Sequence, residues 1–272
     1  MIIMEDTRKI PKSRFWLPFT FGMIVILSTV LFCVLNGGRW FEAVDPNTNV
    51  KDEFINDLHR VFGPFYMIGY FTVQSNLILA VAMIVWACMP KSARASSFFL
   101  SSVSIITITF IAYWALLARS VPVYEWIHPY SLISNVTLHA LNPILGFSLA
   151  IAFRKHIILV KRVAGVCSMY MSLYVAYCAI LFGVGATIEN NEVNGATIYS
   201  FLDFQNILYI NLKSMPILAI FTDVVILVIA PFLMILINYL WAKVLRVKYI
   251  DDSYFGWMER IKTRNRLRKI RW

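Results

Sequence analysis

Charge is what this chain has least of. Only 15% of its 272 residues are Asp, Glu, Lys or Arg, and the mean hydropathy is +0.68. A water-soluble domain carries about a quarter charged residues, so this composition excludes one and points to an integral membrane protein. Carboxylates are scarcer still in the apolar stretches: Asp223 is the single one well inside a candidate span. The four cysteines (Cys33, Cys88, Cys167, Cys178) lie within or at the ends of spans and show no CxxC spacing, so neither a disulfide framework nor a metal site is indicated. A cofactor motif is likewise lacking. There is no low-complexity linker and no internal repeat, so one domain is expected over residues 1–241, followed by a basic tail over 242–272. At the start, Glu5 and Asp6 mix with Arg8, Lys9, Lys12 and Arg14. The long apolar run after them has no small-residue cleavage site, so it is expected to stay as a span rather than leave as a signal peptide.

What the chain does have is apolar length. Crossing a hydrocarbon core of about 30 Å takes roughly 20 residues. Six segments satisfy this: Phe15–Leu35, Phe65–Met89, Phe98–Leu117, Leu132–Phe153, Val163–Val184 and Met215–Trp241. The expected fold is therefore all-α, a polytopic bundle of six transmembrane helices, and the 20 Phe, 13 Tyr and 8 Trp suit interfacial belts. Lys and Arg distribute as 20 on the side of the termini and the 90–97 and 154–162 loops, against five (Arg39, Lys51, Arg60, Arg119, Lys213) on the other. The positive-inside rule then puts both termini in the cytoplasm of a multi-pass cell-membrane protein. The net charge of +10 is read as topology rather than nucleic-acid binding. The tail ERIKTRNRLRKIRW is denser than topology needs. It either lies on anionic lipid headgroups or is simply solvated. Outside the spans, residues 50–62 have the apolar spacing of a short interfacial helix, residues 185–212 form a long outer connection, and His59 and His128 are ordinary loop histidines.

The stretch YFTVQSN, residues 70–76, opens the second span with Thr72, Gln74, Ser75 and Asn76. Unpaired polar groups are costly in hydrocarbon, so these need partners or a purpose. In the fourth span Asn135, His139 and Asn142 fall at offsets of four and three, one face of an α-helix that Gly146 continues. Thr72 lies 18 residues before Pro90, His139 15 before Arg154 and Asp223 20 before Lys243, which is roughly 27, 22 and 30 Å above the cytoplasmic boundary. Polar groups from three helices at one depth imply a shared polar cavity open toward the outside. The alternative is interhelical hydrogen bonding worth about 1 kcal/mol or less per bond. Gln74, off the Thr72–Asn76 face, is assigned to such bonding. The sequon at Asn135 lies inside a span and is discounted.

The motifs FTVQSN, LHALNPIL and IYSFLDF occur in that order, and together they resemble a six-span membrane family. Its bacterial branch is known as proteins of six predicted transmembrane regions. Its animal branch includes the androgen-induced and androgen-dependent TFPI-regulating proteins. The resemblance covers nearly the whole chain. It implies an intramembrane hydrolase of fatty-acid esters of hydroxy fatty acids, with the family's threonine and histidine matching Thr72 and His139. A third element matches Tyr199, Phe201, Leu202 and Asp203, with Ser200 where proline is usual. On this reading Thr72 is the nucleophile and His139 its general base. Asn76 or Asn142 donates to the oxyanion, and Asp223 orients the imidazole. Membrane lipids are the implied substrates and partners. The competing readings are a transporter, a lipid-binding protein and a scaffold. The inner halves of the second and fourth spans, nearly bare of hydrogen-bonding side chains, disfavour a conduit.

Overall fold

The computed structural model describes residues 13–43, 62–118, 129–188, 198–199 and 216–250. Most of the expected interfacial helix over 50–62, His59, His128, Phe201, Leu202, Asp203 and the tail beyond 250 lie outside them. Six helices are long and apolar enough to cross a membrane. They belong to α1 (Ser13–Ala43), α2 (Phe71–Cys88), α3 (Ala93–Ala112), α4 (Pro129–Ala152), α5 (Lys161–Ile188) and α6 (Pro216–Leu245). The described residues thus form a helical bundle with six membrane-capable spans. Two three-residue strands, β1 (Ile158–Val160) and β2 (Lys248–Ile250), pair in parallel where the basic loops gather. The sequence pattern had not suggested them.

Helix α3 is the hub, packing against α2, α4, α5, α6 and β1. Its sequence explains the role. Ser96, Ser97, Ser101, Ser102 and Ser104 are all buried, and small side chains let neighbouring backbones approach closely. Several serines also anchor what they touch. The Ser97 hydroxyl accepts from the Val160 N–H at 3.0 Å, Ser96 Oγ accepts from the Ile158 N–H at 3.3 Å, and Ser104 Oγ donates to Asn238 Oδ1 on α6 at 3.0 Å. Helix α6 is the opposite case, apolar around nearly its whole circumference and largely exposed, with Val224, Val228, Phe232 and Leu236 facing outward. The α1–α2 contact is the most extensive in the bundle, and Gly22 makes it possible: a Cβ there would meet Ile84 Cγ1 at 2.8 Å and the Ala80 carbonyl at 3.0 Å.

Two departures from regular helix matter for the site. First, the second span does not begin at Phe65. A 3-10 helix over Gly63–Gly69 comes first, and Tyr70 is extended (φ −74°, ψ 134°), so α2 starts at Phe71 and Thr72 lies in its opening turn. Its orphan N–H groups are met by tyrosine hydroxyls. Tyr174 accepts from Phe71 N–H at 2.8 Å, and Tyr199 makes a longer 3.5 Å contact with Thr72 N–H. Second, π-helical turns occur at Tyr113–Leu117, continuing α3, and at Thr137–Leu141, inside α4.

Candidate functional site

The turn in α4 has a visible cause. Pro143 has no N–H to offer the carbonyl four residues back, that of His139, and its ring crowds that carbonyl. A π-helical turn relieves the conflict, and the Trp114 indole N–H takes the freed His139 carbonyl at 3.0 Å. The extra residue in this turn rotates the helix before it relative to the helix after it. Asn135, His139 and Asn142 therefore do not share the single face that their offsets implied.

His139 is buried and stacks on Tyr113, with ring centroids 3.6 Å apart and planes 9° from parallel. Its Nδ1 is buried with no hydrogen-bond partner. Asn142 turns elsewhere. Its amide donates to Asn76 Oδ1 at 2.9 Å and to Ser28 Oγ at 3.3 Å, tying α4 to α2 and α1. The Asn76 amide donates to the Thr72 carbonyl at 2.7 Å and to the Leu138 carbonyl at 3.1 Å. Both side-chain amides are thereby committed to holding helices together. Ser75 Oγ lies 2.7 Å from Thr109 Oγ1, joining α2 to α3. Gln74 bridges as expected, donating to the Ile68 carbonyl at 2.9 Å and accepting from the Tyr170 hydroxyl at 2.7 Å. Asn135 is half-buried in the α4 segment before the π turn. Asp223 is half-buried on α6 and continues the buried stripe of Ala230, Met234 and Asn238; its Oδ1 is buried and lacks a hydrogen-bond partner.

The cavity lies beside this network, between the start of α2, the end of α3, the middle of α5 and the first half of α6. It encloses about 250 Å³. Its walls are mainly hydrocarbon, including Ile108, Leu117, Met171, Val175, Ile226 and Leu233. Thr72, Thr109 and the hydroxyl-bearing side chains of Tyr113, Tyr174 and Tyr199 complete the lining. Of the residues expected from the sequence, Thr72 lines this space. His139, Asn76, Asn135, Asn142 and Asp223 do not, and Tyr113, which covers one face of the imidazole, stands in the wall instead. The polar groups that recur at one depth are therefore mostly pairing with one another, and the cavity is apolar where a polar one was anticipated.

Tyr199 lines the cavity with Thr72, and its phenol oxygen accepts from the Thr72 N–H at 3.5 Å. Burial pushes the Tyr199 phenol above its ordinary pKa, so it is a neutral O–H at physiological pH. The cavity opens sideways. Ile229 and Leu233 line it, yet are 54% and 44% exposed on the face of α6 that would meet lipid.

No family model matches the chain, and no solved structure matches it. It is similar to uncharacterized protein MG452 of Mycoplasma genitalium, 34% identical over 91 residues, which is 33% of this chain and 35% of that protein. It is also similar to the uncharacterized protein MG452 homolog of Mycoplasma pneumoniae, 40% identical over 79 residues, 28% of this chain and 32% of that one. The chain spans about a third of the length of these curated relatives.

Proposed function

We propose that this protein resides in the cell membrane with both termini in the cytoplasm, and that it binds a single lipid chain in its lateral cavity. The 20 to 5 partition of Lys and Arg supports that orientation. The observation that carries the binding reading is the cavity: walls that are almost entirely hydrocarbon, with Ile229 and Leu233 lining it and also exposed on α6. Its volume of about 250 Å³ lies at or below the lower limit of ordinary ligand pockets, roughly 300–1,000 Å³, so it suits one chain rather than a whole two-chain lipid. A photoreactive diazirine fatty acid presented in reconstituted membranes tests it. Crosslinks are expected in residues 108–117 and 226–233. Ala230→Trp, which fills the space, should remove them while the protein stays folded. Undiminished labelling of that variant refutes the proposal.

The hydrolase reading keeps one specific support, the place of Thr72 in the cavity wall. A threonine needs a base to become a nucleophile, and the neutral Tyr199 phenol is a donor. His139 would have to reach Thr72 past Tyr113. An acyl-directed serine/threonine probe that labels wild type but not Thr72→Ala or His139→Ala would establish catalysis. Absence of labelling, with chain binding intact, leaves a lipid-binding protein.

A further inference from the structure

The end of the bundle where β1 meets β2 is clad in cations. Lys91, Arg154, Lys155, Arg162, Lys243 and Lys248 are all exposed there. Among the residues whose side chains are described, Asp223 is the one carboxylate, and it does not lie at this end; Asp251 and Asp252, next after β2, lie outside those residues. Neighbours close along the chain bound the depth of the cations. Exposed Ile151 comes three residues before Arg154, exposed Val166 four after Arg162, and exposed Leu240 three before Lys243. About one helical turn, roughly 5 Å, therefore separates the lipid-facing belt from the charge. A Lys or Arg at that distance lays its stem on the apolar belt and its head among lipid headgroups.

These cations do not ride on independent loops. The pairing of Ile158 with Lys248 joins segments far apart in the chain, and Ser96 and Ser97 pin β1 to the first turn of α3. Setting the orientation of a membrane protein needs basic loops but no fixed geometry for them. A hydrogen-bonded strand pair that holds three basic segments as one platform is the additional feature.

We propose that this platform binds the anionic phosphate headgroups of the leaflet it faces, as a lipid site separate from the apolar cavity and independent of the basic residues that follow Ile250. The test uses the full chain in nanodiscs of phosphatidylcholine alone or with one part in about three of phosphatidylglycerol. Anionic lipid should raise Tm by about 3 °C or more, because it binds the folded state. Salt at about 0.5 M should abolish most of that rise, and inorganic phosphate in solution should not reproduce it. The variant Arg154→Gln/Lys155→Gln/Arg162→Gln/Lys248→Gln should lose at least about half the shift, in proportion to the charge removed. Arg264→Gln/Arg266→Gln/Arg268→Gln, in the tail, should keep it. Equal Tm in the two lipids overturns the proposal. So does a shift that survives the platform variant and disappears in the tail variant. Should the platform variant fail to fold, the tail variant and the salt dependence of wild type still decide.

Discussion

Replacing Asn76 separates the two roles that its position suggests. If it holds helices together, Asn76→Leu is a stability mutation; if it donates to a bound carbonyl, it is a binding or activity mutation. The side chain is fully buried, and its amide and carbonyl make three contacts, to the Thr72 carbonyl, the Leu138 carbonyl and the Asn142 amide. Side-chain hydrogen bonds inside membrane proteins average about 0.6 kcal/mol, so three give about 2 kcal/mol. The substitution also strands partners. The Asn142 amide retains only Ser28 at 3.3 Å, and an unsatisfied buried polar group costs about 1–3 kcal/mol. A loss of about 3–4 kcal/mol is therefore expected, with Leu filling part of the vacated space.

Equilibrium unfolding in bicelles, or steric trapping, measures this directly. A double-mutant cycle with Asn142→Ala isolates the amide pair, whose coupling should be about 0.6–1.7 kcal/mol. Photocrosslinking of the fatty-acid probe, scaled to the folded fraction, should not change. Wild-type stability combined with lost probe binding would refute the reasoning and return Asn76 to the ligand site.

Gly22→Ala should destabilise by about 1–3 kcal/mol, because its Cβ meets the Ala80 backbone carbonyl at 3.0 Å; Gly146→Ala should cost less than about 1 kcal/mol, since the mobile end of Leu79 at 3.1 Å can yield. Thermal midpoints in one detergent rank the two, and the reverse order contradicts the packing argument. Pro143→Ala restores a donor for the His139 carbonyl and should convert the π turn to regular helix, moving His139 off Tyr113; a change in the His139 imidazole NMR signals checks it. Tyr113→Ala should open the imidazole to the cavity and increase its carbethoxylation, read by mass spectrometry, while an unreactive His139 would mean that more than Tyr113 covers it. Ser96→Ala/Ser97→Ala removes the hydroxyls that bind the Ile158 and Val160 N–H groups, so hydrogen exchange over residues 158–160 should accelerate by about tenfold or more, in line with about 1.4 kcal/mol of lost local stability.

The fold was legible because it rests on apolar length, which the sequence displays directly. All six spans appear, with ends shifted by a few residues, except that α2 begins at Phe71 rather than Phe65. Gly63, Pro64 and Gly69 carried that signal in the sequence. The site was less legible. Depth counting put Thr72, His139 and Asp223 at one level, and their neighbours Asn76 and Asn142 do meet at 2.9 Å, but depth does not say which way a side chain turns. The offsets of Asn135, His139 and Asn142 presume 3.6 residues per turn, and Pro143 breaks that presumption within the motif itself. Tyr113 was missed because it sits in the π turn where regular α-helix gives out, whereas Tyr199 was named by the third motif but given no place in a cavity. The strand pair was invisible because three residues of ordinary β propensity on each side have no pattern until tertiary packing joins them.

The irregular backbone locates the site independently of any residue's chemistry. In hydrocarbon every backbone group must be satisfied within the protein, and broken helices are tolerated only where protein buries them or where they line a cavity. Here the late start of α2 at Tyr70 and the π turn at the end of α3 border the same space. Two regular helices there would have packed side by side and closed it. Instead Phe71 and Thr72 take tyrosine hydroxyls from α5 and from Tyr199, and the freed His139 carbonyl takes an indole from the turn that ends α3. Each repair uses an aromatic side chain that is apolar along its body and polar at its tip, which satisfies the backbone without wetting the cavity. A bundle that needed only to hold together would have no use for these repairs, because unbroken helices require none. The pattern is that of a protein which keeps an apolar space open beside a small hydroxyl cluster, at the cost of helical regularity on three of its spans.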